Sequence, residues 1–205
     1  MNKTKQEFKK VKWLFDKEIK IPKKWEIHTI SQIFEFLRTA ANSRDDLKDK
    51  GDTMYIHYGD IHQKWDYVLD CKNATIPYIN HDKVQKASVL KNGDLIIADA
   101  SEDHEGSGAS ILIKNIDDRQ IVSGLHTIAL RDSSGITDSN FRAYITSSRL
   151  VKIQIISYVT GISVYGLSKT NLGIIRVPTP SLLEQQKIAS ILSGVDATIE
   201  ATQKV

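Results

Sequence analysis

The sequence predicts an α+β fold: a mixed globular domain with several short strands and one long internal helix, followed by a projecting C-terminal helix. Three observations carry that reading. Short apolar runs bounded by Gly, Asn and Asp recur between residues 53 and 130, as half-buried or buried strands require. Phe141, Tyr144, Ile145, Val151 and Ile155 fall on one helical face. After Pro178 and Pro180, apolar residues return at Ile188, Leu192, Val195 and Ile199, in steps of four, three and four.

Taken in order, Ile21-Pro22 and Trp25 form an opening segment in which Pro fixes the turn and Trp anchors the chain on a core. Ile30, Ile33, Phe34 and Leu37 predict a short amphipathic helix over about residues 29–38. Arg38 to Gly51 is polar and reads as a loop. Thr53 to Tyr58 alternates like a strand and closes at Gly59-Asp60. Asn92-Gly93 is a turn feeding the strand Asp94–Ala98. A polar loop, Asp99 to Gly108, leads to a strand at Ala109–Ile113, and Ile121 to Leu130 supplies another. The long helix is entered near Asp138 or Ser139, both good caps, and Thr160-Gly161-Ile162-Ser163 ends it. A last strand near Gly173–Val177 precedes the terminal helix. Ser181 and Glu184 have the S-x-x-E spacing of a capping box.

The bulk numbers bound the function. With 205 residues, the chain holds one ordinary domain and an appendage. Cys71 is the only cysteine, which excludes an internal disulfide, favours a cytoplasmic location and reads as a small buried hydrophobe. No apolar run is long enough for a bilayer, and lysines interrupt any signal-peptide core, so no membrane partner is expected. The net charge of +3 hides an asymmetry: residues 1–24 carry nine lysines against Glu7, Asp16 and Glu18, a local +6. Such an arm is either a solvated tail or a set of phosphate contacts.

Catalytic chemistry is sparse. The six histidines show neither paired helical spacing nor cysteine partners, so no metal site and no cofactor are expected. No G-x-S-x-G elbow or phosphate-cradling G-x-x-x-x-G-K motif occurs. The acids Asp99, Glu102, Asp103 and Glu105 leave one alternative open, a metal-dependent nuclease or hydrolase. The strand Ile111-Leu112-Ile113-Lys114 lacks the acid such a site needs, and a solvated loop explains the cluster better.

Three loops carry the donors and acceptors that read DNA edges and phosphates. The first offers Arg38, Asn42, Ser43, Arg44 and Lys48; the second, Ser101, His104 and Ser107; the third, Thr160, Ser163, Tyr165 and Lys169. Taken alone, each reads better as an ordinary surface loop, and only a family resemblance turns the group toward DNA; the acids of the second loop would also repel phosphates. The terminal stripe, with Gln185, Ile188, Leu192, Val195 and Ile199, is read as the face of a coiled-coil-like helix pair; packing on its own domain, or recruitment of a protein by a helical adaptor that ignores DNA, are the alternatives.

The run Val177-Pro178-Thr179-Pro180-Ser181-Leu182-Leu183-Glu184-Gln185-Gln186-Lys187-Ile188-Ala189, with Leu192 and Asp196-Ala197-Thr198-Ile199, resembles the junction of target recognition domain and conserved helix in specificity subunits of type I restriction-modification enzymes. Upstream, Ile21-Pro22 with Trp25, Tyr55-Ile56 with Gly59-Asp60-Ile61, Gly93-Asp94-Leu95-Ile96-Ile97-Ala98, Phe141 to Tyr144, and Gly161 to Leu167 match the same family in order. The resemblance implies a basic arm at residues 1–20, a DNA-binding recognition domain at 21–180 and the start of a spacer helix at 181–205. It also implies a non-catalytic subunit that reads half of a split DNA sequence. Its expected partners are double-stranded DNA, methyltransferase subunits, a restriction subunit through the complex, and a second recognition domain or second copy through the terminal helix. A single recognition domain is expected in either a fragment or a half-length subunit.

Overall fold

The computed structural model describes residues 7–14 and 17–203, and the chain opens there with an antiparallel hairpin of β1 (Phe8–Lys12) and β2 (Glu18–Pro22). The arm, expected as either a solvated tail or a set of phosphate contacts, is partly a strand pair that crosses the 20/21 boundary; Lys3 and Lys5 lie outside the described residues. Trp13 staples the hairpin down: it is buried, its indole N–H donates to the Leu150 carbonyl at 3.2 Å, and the Arg176 guanidinium lies 5.0 Å from its ring centre.

Next come β3 (Glu26–Thr29), α1 (Ile30–Ile33) and β4 (Phe34–Phe36). The helix expected over 29–38 lasts one turn. A capping box starts it, with Thr29 accepting from the Gln32 N–H and Gln32 answering to the Thr29 N–H. Phe34 then turns extended. A short apolar run fits either period, and here strand pairing decides. β5 (Thr53–Ile56) ends earlier than expected, because Gly59-Asp60 belongs to α2 (Tyr58–Gln63), capped by His57 Nδ1 at 3.2 Å from the Gly59 nitrogen.

β6 (Tyr67–Asp70), β7 (Tyr78–Ile79), β8 (Leu95–Ala98), β9 (Ala100–Ser101) and β10 (Ser110–Lys114) follow. The single strand expected at 121–130 is two, β11 (Gln120–Ser123) and β12 (Thr127–Asp132), in different sheets. The long helix is also two, α3 (Ser139–Arg142) and α4 (Arg149–Tyr158). Between them the Ser147 and Ser148 hydroxyls bond back to the carbonyls of Tyr144 and Ile145, in competition with the helical ladder. Asp138 caps α3 as expected, accepting from the N–H groups of Asn140 and Phe141. β13 (Tyr165–Gly166), α5 (Lys169–Gly173), β14 (Arg176–Thr179) and α6 (Leu182–Gln203) complete the chain. Gly173 closes α5, so the last strand starts at Arg176, not at Gly173.

A five-stranded sheet of order β4-β12-β8-β10-β6 forms the centre, beside a three-stranded sheet β11-β5-β7. β10 with β6 and β11 with β5 run parallel, joining segments far apart in sequence. Strand β8 is buried on both faces. Leu95 and Ile97 pack with Ile30, Ile33, Val151 and Ile155 on one side; Ile96 and Ala98 pack with Ile56, Leu69 and Ile111 on the other. The period of two splits one apolar run between two cores, each large side chain contributing about 1.5–3 kcal/mol. A third cluster gathers Tyr55, Ile79, Val84 and Val122.

Gly124, between β11 and β12, lies against the Tyr55 ring, and a methyl added there would sit 2.1 Å from ring carbons. The ring cannot retreat easily, since its hydroxyl donates to the Asn42 carbonyl at 2.7 Å and accepts from the Leu125 N–H at 2.8 Å. Gly124→Ala should therefore destabilise the fold by about 1–3 kcal/mol through overpacking. Urea denaturation checks this; an unmoved midpoint would mean that Tyr55 gives way.

Candidate nucleic-acid interface

The C-terminal ends of β5, β8 and β11 and the start of β12 emerge at one edge of the fold, bringing His57, Asp99 and His126 together. The helix α2, the pair β9–β13 and the start of α5 frame that edge. Backbone bonds fix it: the Asp99 N–H donates to the His126 carbonyl at 3.0 Å, and the Leu167 N–H to the Asp99 carbonyl at 2.8 Å. Aromatic and imidazole rings then pack side by side. Tyr58 lies 4.6 Å from the ring of His57 and 5.3 Å, edge-on, from that of His126. His104 meets Tyr165 edge-on at 4.9 Å. His62 Nε2 is 3.0 Å from the Ala100 carbonyl oxygen.

Buried Asp60 organises the cations. Its carboxylate has no exposure and holds Arg44 at 3.1 Å and Lys64 at 3.0 Å. Removing both cations would leave that charge underground; with Lys64 beside it, the carboxylate positions Arg44 across Gly59 with half of its side chain exposed. Burial, helped by the Arg44 charge, lowers the pKa of His57, which keeps the ring neutral and its Nδ1 an acceptor for the Gly59 N–H. Burial raises the pKa of Asp99, with the His126 ring at 3.3 Å and the more distant Lys169 charge opposing.

Of the residues singled out in sequence, this edge gathers Arg44, His104, Tyr165 and Lys169, with Ser43 exposed beside Arg44 and Thr160 and Ser163 on the adjoining loop. Others lie elsewhere. Asn42 spends its amide on Asp46 at 3.1 Å and its carbonyl on Tyr55. Arg38 is exposed alongside Ser88, and Lys48 reaches Asn80 at 3.0 Å on the flank of the three-stranded sheet. Two hydroxyls expected on DNA are buried. Ser101 lies in β9 and its hydroxyl accepts from the Asp103 N–H; Ser107 is 2% exposed under a lysine, Lys152, that donates to its carbonyl at 2.8 Å. Neither is placed to touch a duplex.

The acids of the same loop do not converge on a nuclease site. Asp99 faces His126, and Asp103 accepts from the Gly106 N–H within its own turn. Among the described residues, no group of three or more His, Cys, Asp or Glu side chains is arranged to hold a metal. Sequence reasoning missed Tyr58, His62 and Lys64 because it took Gly59-Asp60 for a turn where a helix begins, and His126 because it took residues 121–130 for one strand. The polar face of that helix, Asp60 and Lys64 four apart, was the available signal.

On α6, Gln185 is corrected from partner contact to internal anchor. It has no exposure, accepts from the Asp138 N–H at 2.8 Å, and donates to the carbonyls of Ile136 at 3.0 Å and Pro180 at 2.8 Å. Ile188 is half-buried, while Leu192, Val195 and Ile199 are exposed along the helix. Ser181 starts α6 with its carbonyl, accepting from the N–H groups of Glu184 and Gln185; the reciprocal side-chain bonds of the expected capping box are not among those of the described residues. No helix among these residues is long and apolar enough to cross a membrane.

Solved structures share the fold. A chain from a structure of a type I R-M system, concerned with its assembly and conformational transition, matches with a TM-score of 0.62 at 13% identity, over 90% of this chain and 41% of that one. The HsdS subunit of Thermoanaerobacter tengcongensis matches with a TM-score of 0.58 at 14% identity, over 90% and 40%. A type I restriction-modification S subunit from M. genitalium matches with a TM-score of 0.55 at 16% identity, over 88% and 41%. This chain thus spans about two fifths of the length of those proteins. Among curated proteins, none matches. Residues 22–205 match the model of the type I restriction modification DNA specificity domain, and the chain belongs to that family.

Proposed function

We propose that this chain reads one half of a bipartite DNA sequence for a type I restriction-modification complex, as a non-catalytic specificity subunit or one domain of it. The observation that supports this best is the edge carrying Arg44, Lys64, His104, Tyr165 and Lys169: cations and stacking rings presented by short segments fixed to a rigid double core. Cations of this kind neutralise phosphates or read guanine, and rigid mounting lets loops choose a sequence. The domain needs no cofactor for that task and works in the cytoplasm. Methyltransferase subunits dock on the complex and supply the chemistry, with the restriction subunit joining through it. The exposed stripe Leu192, Val195 and Ile199 pairs with a helix of a second recognition domain or a second copy.

Duplex retention measured against salt tests the reading. In Arg44→Gln/Lys169→Gln, Lys64 still compensates Asp60, so the fold is retained. The slope of log affinity against log salt should fall by about 2, as expected for two lost phosphate contacts. A control pair at the opposite edge, Lys72→Gln/Lys91→Gln, should leave the slope alone. Equal slopes for all three proteins would sink the assignment of this edge.

A further inference from the structure

We infer that the loop tip Gly161–Val164 reads thymine methyl groups, with Ile162 as the residue in contact; the inference rests on the DNA reading above. The tip projects from a narrow strand closure, where Thr160 and Gly166 exchange N–H···O bonds of 3.0 and 2.7 Å. Behind it, Tyr165 and Gly166 pair with Ser101 and Ala100 of β9, which roots the tip at the edge that carries Arg44, His104 and Lys169.

Two apolar side chains stand in water at this tip: Ile162 is 94% exposed and Val164 55%. Neither serves the fold. The turn is nonetheless tightly set. Gly161 has a φ of +134°, and a methyl there would fall 1.9 Å from the Val164 carbonyl oxygen, so only glycine makes this turn. A preset turn presents Ile162 without an ordering cost on binding.

The occupant follows from the chemistry. Isoleucine has neither donor nor acceptor, and the apolar group on a major-groove edge is the C5 methyl of thymine. A two-stranded ribbon fits the major groove, where that methyl lies. Two side chains cover far too little area for a stable protein interface. Cations at the same edge suit the phosphates on either side of the groove.

The test starts from duplexes that the unaltered chain selects from a randomised pool at low salt, resynthesised with deoxyuridine for thymidine. The unaltered chain should bind the uridine form about fourfold more weakly per methyl contacted, the worth of one buried methylene. Ile162→Ser, whose native side chain touches no core, should bind both forms equally and at the weaker level. Equal affinity of the unaltered chain for both forms overturns the methyl contact while leaving the DNA reading intact, as does an Ile162→Ser protein that keeps the difference. Failure to retain any duplex overturns both.

Discussion

Replacing Asp132 with Ala is expected to cost the fold about 3–5 kcal/mol at neutral pH, the usual penalty for breaking a buried ion pair from one side. The Asp132 carboxylate is fully enclosed. It accepts from the Ser134 N–H and hydroxyl, the Gly135 N–H, the Thr137 N–H and hydroxyl, and the Arg142 guanidinium at 3.2 Å. Arg142 reaches onward to the Gly93 carbonyl at 2.9 Å, so the node ties the turn before β8 to α3. Burial alone would raise the pKa of Asp132, but the Ser134 and Thr137 hydroxyls, the Thr137 N–H and the Arg142 charge outweigh it and hold the carboxyl below its ordinary value. The folded state therefore binds fewer protons at this site than the unfolded chain near pH 4. Its contribution is complete above the unfolded pKa and is lost as pH falls through the depressed folded value. Asp132→Asn, which cannot titrate, should accordingly show its deficit at pH 7 and converge on the unaltered protein in strong acid. Urea midpoints measured from pH 7 down to pH 2 decide it; a constant deficit across that range would assign the loss to shape alone.

The neighbouring Asp94 explains why part of the family pattern was legible without revealing its role. Gly93-Asp94 resembled a family element in the sequence. In the fold Asp94 is buried, accepts from the Lys91 N–H at 2.7 Å, and holds Arg131 in a fork of 2.8 and 2.6 Å. It builds the sheet end and is remote from the edge assigned to DNA. The run Leu95–Ala98, the Asp138 cap and the start of α6 were legible because each rests on local chemistry. The breaks at Phe34 and Gly124 were not, since they depend on partners distant in sequence: β12 for β4, Tyr55 for Gly124. The break after Arg142 was missed although its signal, the Ser147-Ser148 pair, is local. The candidate interface was half legible for the same reason. Donor chemistry identified Arg44, His104, Tyr165 and Lys169, whereas only parallel pairing of β5 with β11 brings Tyr58 beside His126. Polarity also misled where burial intervened, at Ser101, Ser107 and Gln185.

Gln185→Leu should destabilise the domain by about 3 kcal/mol, and do so at the junction with α6. Leucine approximates the volume of the glutamine but satisfies none of its bonds. It leaves the Asp138 N–H and the Ile136 and Pro180 carbonyls unpaired, at roughly 1–3 kcal/mol for each group that stays dry. Water reaching part of the site would bring the sum toward the lower end. Gln185→Glu should be no better, because it keeps an acceptor for Asp138 while turning the other oxygen against two carbonyls. Further ties of the helix are Ala189, which is buried, and Asp196, which accepts from the Tyr144 hydroxyl at 2.6 Å. These hold the second and fourth turns, so the first turn should loosen before the rest. Hydrogen exchange resolves this: protection should fall at residues 185–189 more than the global loss of stability explains, with β8 tracking the global value. Uniform loss across both elements would show that Gln185 supports the whole core and does not specifically aim the helix. Under the function proposed above, the distinction bears on DNA reading, because a helix set between two recognition domains would fix the spacing of their half-sites only while its first turn is rigidly joined to the domain.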